Sequence, residues 1–219
     1  MGKLIVIEGL DGSGKATQAS MLAESLKSRG NKVRKVSFPN YESDSSILVK
    51  MYLNGAFGAH PDDVNAFAAS SFYAVDRYAS FMKDWKKEWQ EGIVVADRYT
   101  TSNAIHQCSK LPESQWDTFL EWLFDFEYNK LEIPAPDLVL YLKVDPTVSQ
   151  KLLEKRYHGD MTKEDIHEKD HEYLERCRKA AEYCAEKLGW VTVECTDQGK
   201  MKRIDEIQRD IMEKAREIS

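Results

Sequence analysis

The sequence has no excess of positive charge: 31 Lys and Arg stand against 37 Asp and Glu, a net charge of -6. Broad binding to a nucleic-acid polymer needs the opposite balance and is not expected. A local anion site remains possible, because a few placed cations and backbone amides suffice. No run approaches the roughly 20 apolar residues of a membrane span, so no membrane partner is expected. The opening residues lack the apolar core of a signal peptide. Gly2 follows Met1, but Val6 breaks the N-myristoylation pattern. The four cysteines, Cys108, Cys177, Cys184 and Cys195, include no C-x-x-C pair. Their spacing suits neither zinc nor a secreted disulfide framework and predicts reduced thiols in a cytoplasmic protein. The five histidines, His60, His106, His158, His167 and His171, show no metal-ligand spacing. Repeats, low-complexity tracts and linkers are also missing.

What is present is an ordinary globular composition, 42% apolar and 31% charged over 219 residues. That length suits one domain, 1–219, with a substantial core. Strand and helix patterns alternate, which predicts an α/β fold: a five-stranded parallel sheet flanked by helices in three layers. The strands are expected at Lys3–Glu8, 32–37, 92–96, 138–142 and 190–194. Helices are expected at 14–29, within 61–90 as more than one segment, at 112–130, from 145 to about 156, up to 188, and along the tail to 219. Gly30 and Asn31 close the first helix, and Gly189 closes the one before the fifth strand. Asp145 followed by Pro146 is a helix start. Phe67 and Phe72, at helical spacing, are assigned to the core.

The strongest signal is Gly9, Leu10, Asp11, Gly12, Ser13, Gly14, Lys15: G-x-x-x-x-G-K directly after a strand and before a helix. The glycines let successive N–H groups face one oxyanion. The helix that follows adds the positive end of its dipole. Lys15, expected to be exposed in the empty loop, places an ammonium on the β/γ-phosphates. The nucleotide loop therefore runs from Gly9 through Ala16 and Thr17, with a nucleoside triphosphate as the ligand. Ala16 stands where this loop ordinarily carries the hydroxyl that touches Mg²⁺. Thr17 is turned about 100° away on the helix. A water is expected in the vacant ligand position, since Mg²⁺ keeps several.

Asp97 and Arg98 end the third strand, and open α/β sheets bind ligands at such carboxyl ends. Arg98 offers a planar fork for phosphate. Asp97 is placed to help hold Mg²⁺ and its waters, and Asp11 is the second carboxylate assigned to the metal. Ser102, Asn103 and Gln107 follow on the same segment. Tyr73 and Arg77 are four apart on an expected helix and share a face. A ring there can stack on a flat base, and an arginine one turn away can donate to a base carbonyl.

Residues 9–18 (GLDGSGKATQ), 72–78 (FYAVDRY), 97–107 (DRYTTSNAIHQ) and the segment from Asp165 (DIHEKDHEYL) together resemble thymidylate kinases, over nearly the whole chain and in the right order. The resemblance implies a P-loop NTPase fold and transfer of the ATP γ-phosphate to dTMP, giving dTDP and ADP in dTTP biosynthesis. It assigns Arg98 to the acceptor or transferring phosphate, and Asp11 to the deoxyribose 3′ hydroxyl and acceptor phosphate. Tyr73, Arg77, Asn103 and Gln107 fall to the thymine. The family usually carries a phosphate-gripping arginine in the loop after the second strand. Here that loop reads Phe38, Pro39, Asn40, Tyr41, which leaves more of the grip to Arg98 and Arg77.

Phosphoryl transfer needs positioning, charge compensation and exclusion of water. Residues 151–165, with Gly159, Lys155, Arg156 and Lys163, form the candidate lid. Some family members place a catalytic cation in the phosphate loop and others in the lid. Ser13 is not basic, so Arg156 is assigned that role beside Lys15, Arg98 and Asp11. No general base is required, because the dTMP phosphate is already an anion. The resemblance and the aromatic-rich helices between 61 and 89 imply a homodimer. Two readings stand beside this one: a kinase for another nucleoside monophosphate, and a nucleotide-binding regulatory protein without turnover. Lys15, Asp97 and Arg98 weigh against the second.

Overall fold

The structure, a computed structural model, describes residues 2–149, 152 and 171–216. Its first half runs β1 (Lys3–Glu8), α1 (Lys15–Ser28), β2 (Val33–Ser37), α2 (Ile47–Leu53), α3 (Ala66–Ser80), α4 (Lys86–Glu91) and β3 (Ile93–Asp97). The second half runs α5 (Thr100–Cys108), α6 (Trp116–Phe124), β4 (Leu138–Lys143), α7 (His171–Lys187), β5 (Val191–Glu194), β6 (Thr196–Asp197), β7 (Lys200–Met201) and α8 (Ile204–Lys214). The strands β1–β5 form one sheet in the order β2-β3-β1-β4-β5. Every pairing in it is parallel. This is the expected three-layer P-loop NTPase architecture.

Why β1 sits at the centre follows from its composition. Leu4, Ile5, Val6 and Ile7 are all fully buried, as a strand covered on both faces must be. Ile5 and Ile7 pack with Leu22 and Leu26 of α1 and Ile207 and Ile211 of α8. Leu4 and Val6 face the other layer, among Phe81, Trp85 and Tyr99. Each such side chain removed from water contributes about 1.5–3 kcal/mol. The registers Ile7↔Asp97 and Ser37↔Asp97 bring the ends of β1, β2 and β3 level. The chain leaves all three at one edge of the sheet, and there it builds the site.

Three sequence expectations change. The tail after β5 is not helical throughout. It opens with the antiparallel β6–β7 pair before α8 begins. Helix α2 was not anticipated: it is seven residues long, and apolar Ile47, Leu48 and Met51 lie exposed on it, which blurs the amphipathic pattern. Phe67 is not core. It is 43% exposed, its ring edge resting on Phe119 and Trp122. The helix start at Asp145 holds, since Asp145 accepts from the Thr147 amide at 2.8 Å. Its continuation and the loop beyond it, 153–170, lie outside the described residues.

Candidate active site

A cavity of about 780 Å³ opens along the carboxyl ends of the strands. Residues 11–18 line one side of it, and Tyr73, Arg77, Asn103 and Gln107 line another; Asp97 and Arg98 also face it. Gly9 and Leu10 do not line it and shape the loop from behind. A Cβ at Gly9 would lie 2.7 Å from Ser13 Oγ and 2.9 Å from the Leu142 carbonyl, so the strand-to-loop turn admits only glycine. Gly14 caps α1 with φ +84°, in the left-handed region that glycine enters freely. Ser13 Oγ, buried in the loop, has no hydrogen-bond partner among the described residues. Ala16 and Thr17 lie exposed at the cavity.

Lys15 departs from expectation. It is 7% exposed. Its Nζ donates to the Leu10 carbonyl at 2.8 Å and sits 3.8 Å from Asp11. Burial, with Arg98 adding to it, lowers its pKa to about 8, and Asp11 and Glu8 counter only part of that. A polyphosphate anion beside it would favour the ammonium and raise that pKa again.

Arg98 has φ +64°, uncommon for a side chain of this size. The strain is held because its amide donates to the Ile7 carbonyl at 3.1 Å. Its Nη2 is ion-paired with Asp11. Its Nη1 donates to Ser102 Oγ at 3.3 Å and lies 3.9 Å from Glu8. Burial opposes its charge, but Asp11, then Glu8 and Asp97, raise its pKa above the ordinary arginine value. A fixed cation thus stands on the cavity wall, between the phosphate loop and the end of β3.

At the far end Tyr73 and Arg77 share a face of α3 and both border the cavity. Tyr73 is steadied edge-on by Tyr52. Gln107 is fully buried, and neither of its amide atoms has a partner among the described residues. Such a group costs about 1–3 kcal/mol unless a ligand satisfies it.

Comparison with known proteins agrees with this geometry. A family model described as thymidylate kinase matches residues 7–211. The chain belongs to the thymidylate kinase family. The thymidylate kinase of Mycobacterium tuberculosis is 28% identical over 195 residues, 87% of this chain and 90% of its own length. That of Plasmodium falciparum is 27% identical over 218 residues, 99% of this chain and 91% of its own. A solved thymidylate kinase from Candida albicans shares the fold, with a TM-score of 0.72 at 22% identity over 99% of this chain and 92% of that one.

Within this thymidylate kinase family member, two of the residues assigned from sequence line the cavity while engaged by neighbouring side chains. Arg77 is not a spare cation for the acceptor phosphate. It is 2% exposed, and its Nε and Nη2 donate to the two oxygens of Glu127 at 2.7 and 2.5 Å. Burial opposes its charge and Glu127 outweighs that, so its pKa is raised while its net charge is cancelled. Ser102 is a bridge: its hydroxyl donates to Glu8 at 2.8 Å and accepts from Arg98. The lid cations Lys155, Arg156 and Lys163 lie outside the described residues.

Three further residues hold this site together and were not singled out in the sequence. Glu8, fully buried, accepts from the Gly9 amide, Thr101 Oγ1 and Ser102 Oγ at 2.9, 2.6 and 2.8 Å. Glu127, also fully buried, organises the acceptor end. His106 borders the cavity beside Arg98, with Nε2 3.5 Å from Nη1 and its ring stacked on Tyr173. No element was expected over 100–108, so the helix that sets His106 one turn beyond Ser102 appears only in the structure. The loop that lacks the arginine is tied down by Asp76, which accepts from the Asn40 amide and Ser45 Oγ at 2.8 and 2.7 Å. The four cysteines are buried and unpaired. Burial pushes Cys177 up to about 12, which makes its thiol inert.

Proposed function

We propose that this chain transfers the γ-phosphate of ATP to dTMP, releasing ADP and dTDP for dTTP synthesis. One observation carries the reading: one cavity is lined both by the phosphate loop and by Tyr73, Arg77, Asn103 and Gln107, with Arg98 also on its wall. Lys15 moves from the Leu10 carbonyl to the ATP phosphates. Arg98, released in part from Asp11, spans the transferring group and the acceptor phosphate. Asp11 then serves the 3′ hydroxyl side of the acceptor. Tyr73 stacks on the thymine while Arg77 and Asn103 read its edge, with Gln107 beside them.

Among the described residues no group of three ligating side chains could hold a metal by itself. Mg²⁺ would arrive on ATP and rely on phosphates and waters more than on protein. Asp97 is the carboxylate suited to it. Asp97 lines the cavity, and its carboxylate accepts a long hydrogen bond from Ser37 Oγ at 3.5 Å. Asp11 is engaged by Arg98 and Lys15. Asp97 would help hold Mg²⁺ there, and the metal would supply charge compensation to the transferring phosphates. Arg156 in the lid completes the cation set.

A homodimer and a cytoplasmic location complete the reading. The dimer is supported by Phe67, Val75, Tyr78 and Met82, all exposed and spaced to fall on one face of α3 and the turn after it. Among the described residues no helix is long and apolar enough to cross a membrane.

The test is a coupled assay with dTMP, dUMP, dCMP and dGMP, run on wild type and Lys15→Ala. The expected result is dTMP as best acceptor and loss of about 10²–10³ in kcat for the variant. Another preferred acceptor, or full activity without Lys15, overturns it.

A further inference from the structure

Glu127 lies in the π-helical turn after α6 and is fully buried, so it cannot touch a ligand in the cavity. Yet both of its oxygens are committed to residues that do border it. Oε2 accepts from Arg77 Nε at 2.7 Å and from Thr100 Oγ1 at 2.8 Å. Oε1 accepts from Arg77 Nη2 at 2.5 Å and from Asn103 Nδ2 at 3.2 Å. The same Nδ2 donates to the Ser70 carbonyl at 3.2 Å. Both partners of the Asn103 amide are therefore acceptors. Its nitrogen must face them, and both N–H groups are consumed. The carbonyl oxygen is what Asn103 has left to offer, so it is an acceptor and not a donor. Arg77 is held through Nε and Nη2 by Glu127, and its Nη1 donates to the Tyr99 carbonyl at 3.4 Å; guanidinium has no acceptor, so whatever it presents is a donor.

We propose that Glu127 is the positioning residue that sets base specificity, by fixing Asn103 as an acceptor toward the acceptor base and holding Arg77, a donor in any orientation, in place beside it. This deepens the thymidylate reading above and rests on it. A thymine or uracil edge carries an N3–H donor beside an O4 acceptor and matches that pair. A cytosine edge carries an N3 acceptor beside an amino donor and opposes both members. Glu127 thus discriminates the keto pyrimidines from cytosine and is indifferent to the thymine methyl. A neutral amide in its place would put an N–H₂ against Asn103 or Arg77. The simplest relief is a flip of the Asn103 amide, which reverses what it offers the base.

The experiment measures kcat/KM and calorimetric Kd for dTMP, dUMP and dCMP in wild type, Glu127→Gln and Thr100→Val. Wild type comes first: if it does not prefer dTMP to dCMP, the thymidylate reading itself has failed. Given that preference, Glu127→Gln lowers the dTMP:dCMP ratio at least about tenfold and leaves the dTMP:dUMP ratio unchanged. Thr100→Val removes one hydrogen bond to Glu127 with little change of shape. It lowers the dTMP:dCMP ratio by about threefold and decides the matter if Glu127→Gln does not fold. A dTMP:dCMP ratio that stays at the wild-type value in the folded variants overturns the proposal. So does a parallel fall for all three acceptors, which is what a purely structural carboxylate would produce.

Discussion

The Arg98 guanidinium is ion-paired to the Asp11 carboxylate, so the phosphate loop and the end of β3 are joined directly when no phosphate lies between them. A ligand that takes Arg98 must break that pair. The fork geometry then matters as much as the charge. Arg98→Lys keeps the charge and loses the fork, so kcat/KM for dTMP is expected to fall about 10²-fold with the fold retained. Steady-state kinetics with circular dichroism as the folding control checks this. Near-wild-type activity in the lysine variant would show that point charge alone suffices.

Lys15 carries a measurable proton signature. Its pKa is about 8 in the empty site against an ordinary 10.5, with burial the largest cause. Below about pH 8 the folded and unfolded states both hold the proton, and the burial penalty is present in full. Between about 8 and 10.5 the folded state has released it, so the penalty is relieved as pH rises. Phosphate binding should reverse this and recharge the lysine. ATP binding near pH about 8.5 is therefore expected to take up a fraction of a proton, seen as buffer-dependent calorimetric heat. Lys15→Ala should abolish the uptake. Equal heats in buffers of different ionisation enthalpy would contradict the burial argument.

His106 provides an acid-sensitive element. Burial, reinforced by Arg98, lowers its pKa to about 3. The unfolded chain takes up this proton below about pH 6.5 while the folded chain refuses it. Stability from this group is complete above that point and is lost as pH falls toward 3. Near pH 5 the loss is about 2 kcal/mol, or roughly 4–8 °C in Tm for a chain of this size. His106→Gln should narrow the Tm gap between neutral and acid buffer by that amount. An unchanged gap would assign the acid sensitivity elsewhere.

The apolar face of α3 makes an assembly prediction. Val75 is 48% exposed and Met82 47%. If this face pairs two copies, each Val75→Asp substitution buries a charge twice in the symmetric contact. Sedimentation at micromolar concentration should show wild type as a dimer and the variant as a monomer. Monomeric wild type would remove the interface.

The phosphate loop, the strand ends at Asp97 and Arg98, and the five-strand parallel order of elements were all legible in the chain. Each depends on residues close together in sequence: glycine spacing, β-branched runs, a strand abutting a helix. Asn103 and Gln107 were likewise visible on one short segment. The sequence could not distinguish a carboxylate that solvates a surface helix from one that anchors a site. Glu127 reads like its neighbours Asp125 and Glu132. Its role appears only when α6 brings it against Arg77, fifty positions away.

The same physics explains the misjudged exposure of Lys15 and the overstated reach of Arg77. Local chemistry, the capacity of backbone amides and a lysine to hold phosphate, follows from the order of residues and was determined there. Desolvation and pairing depend on what distant segments place around a group, since a charge is weakened by burial and spent by a partner. Those two quantities were decided by tertiary structure alone.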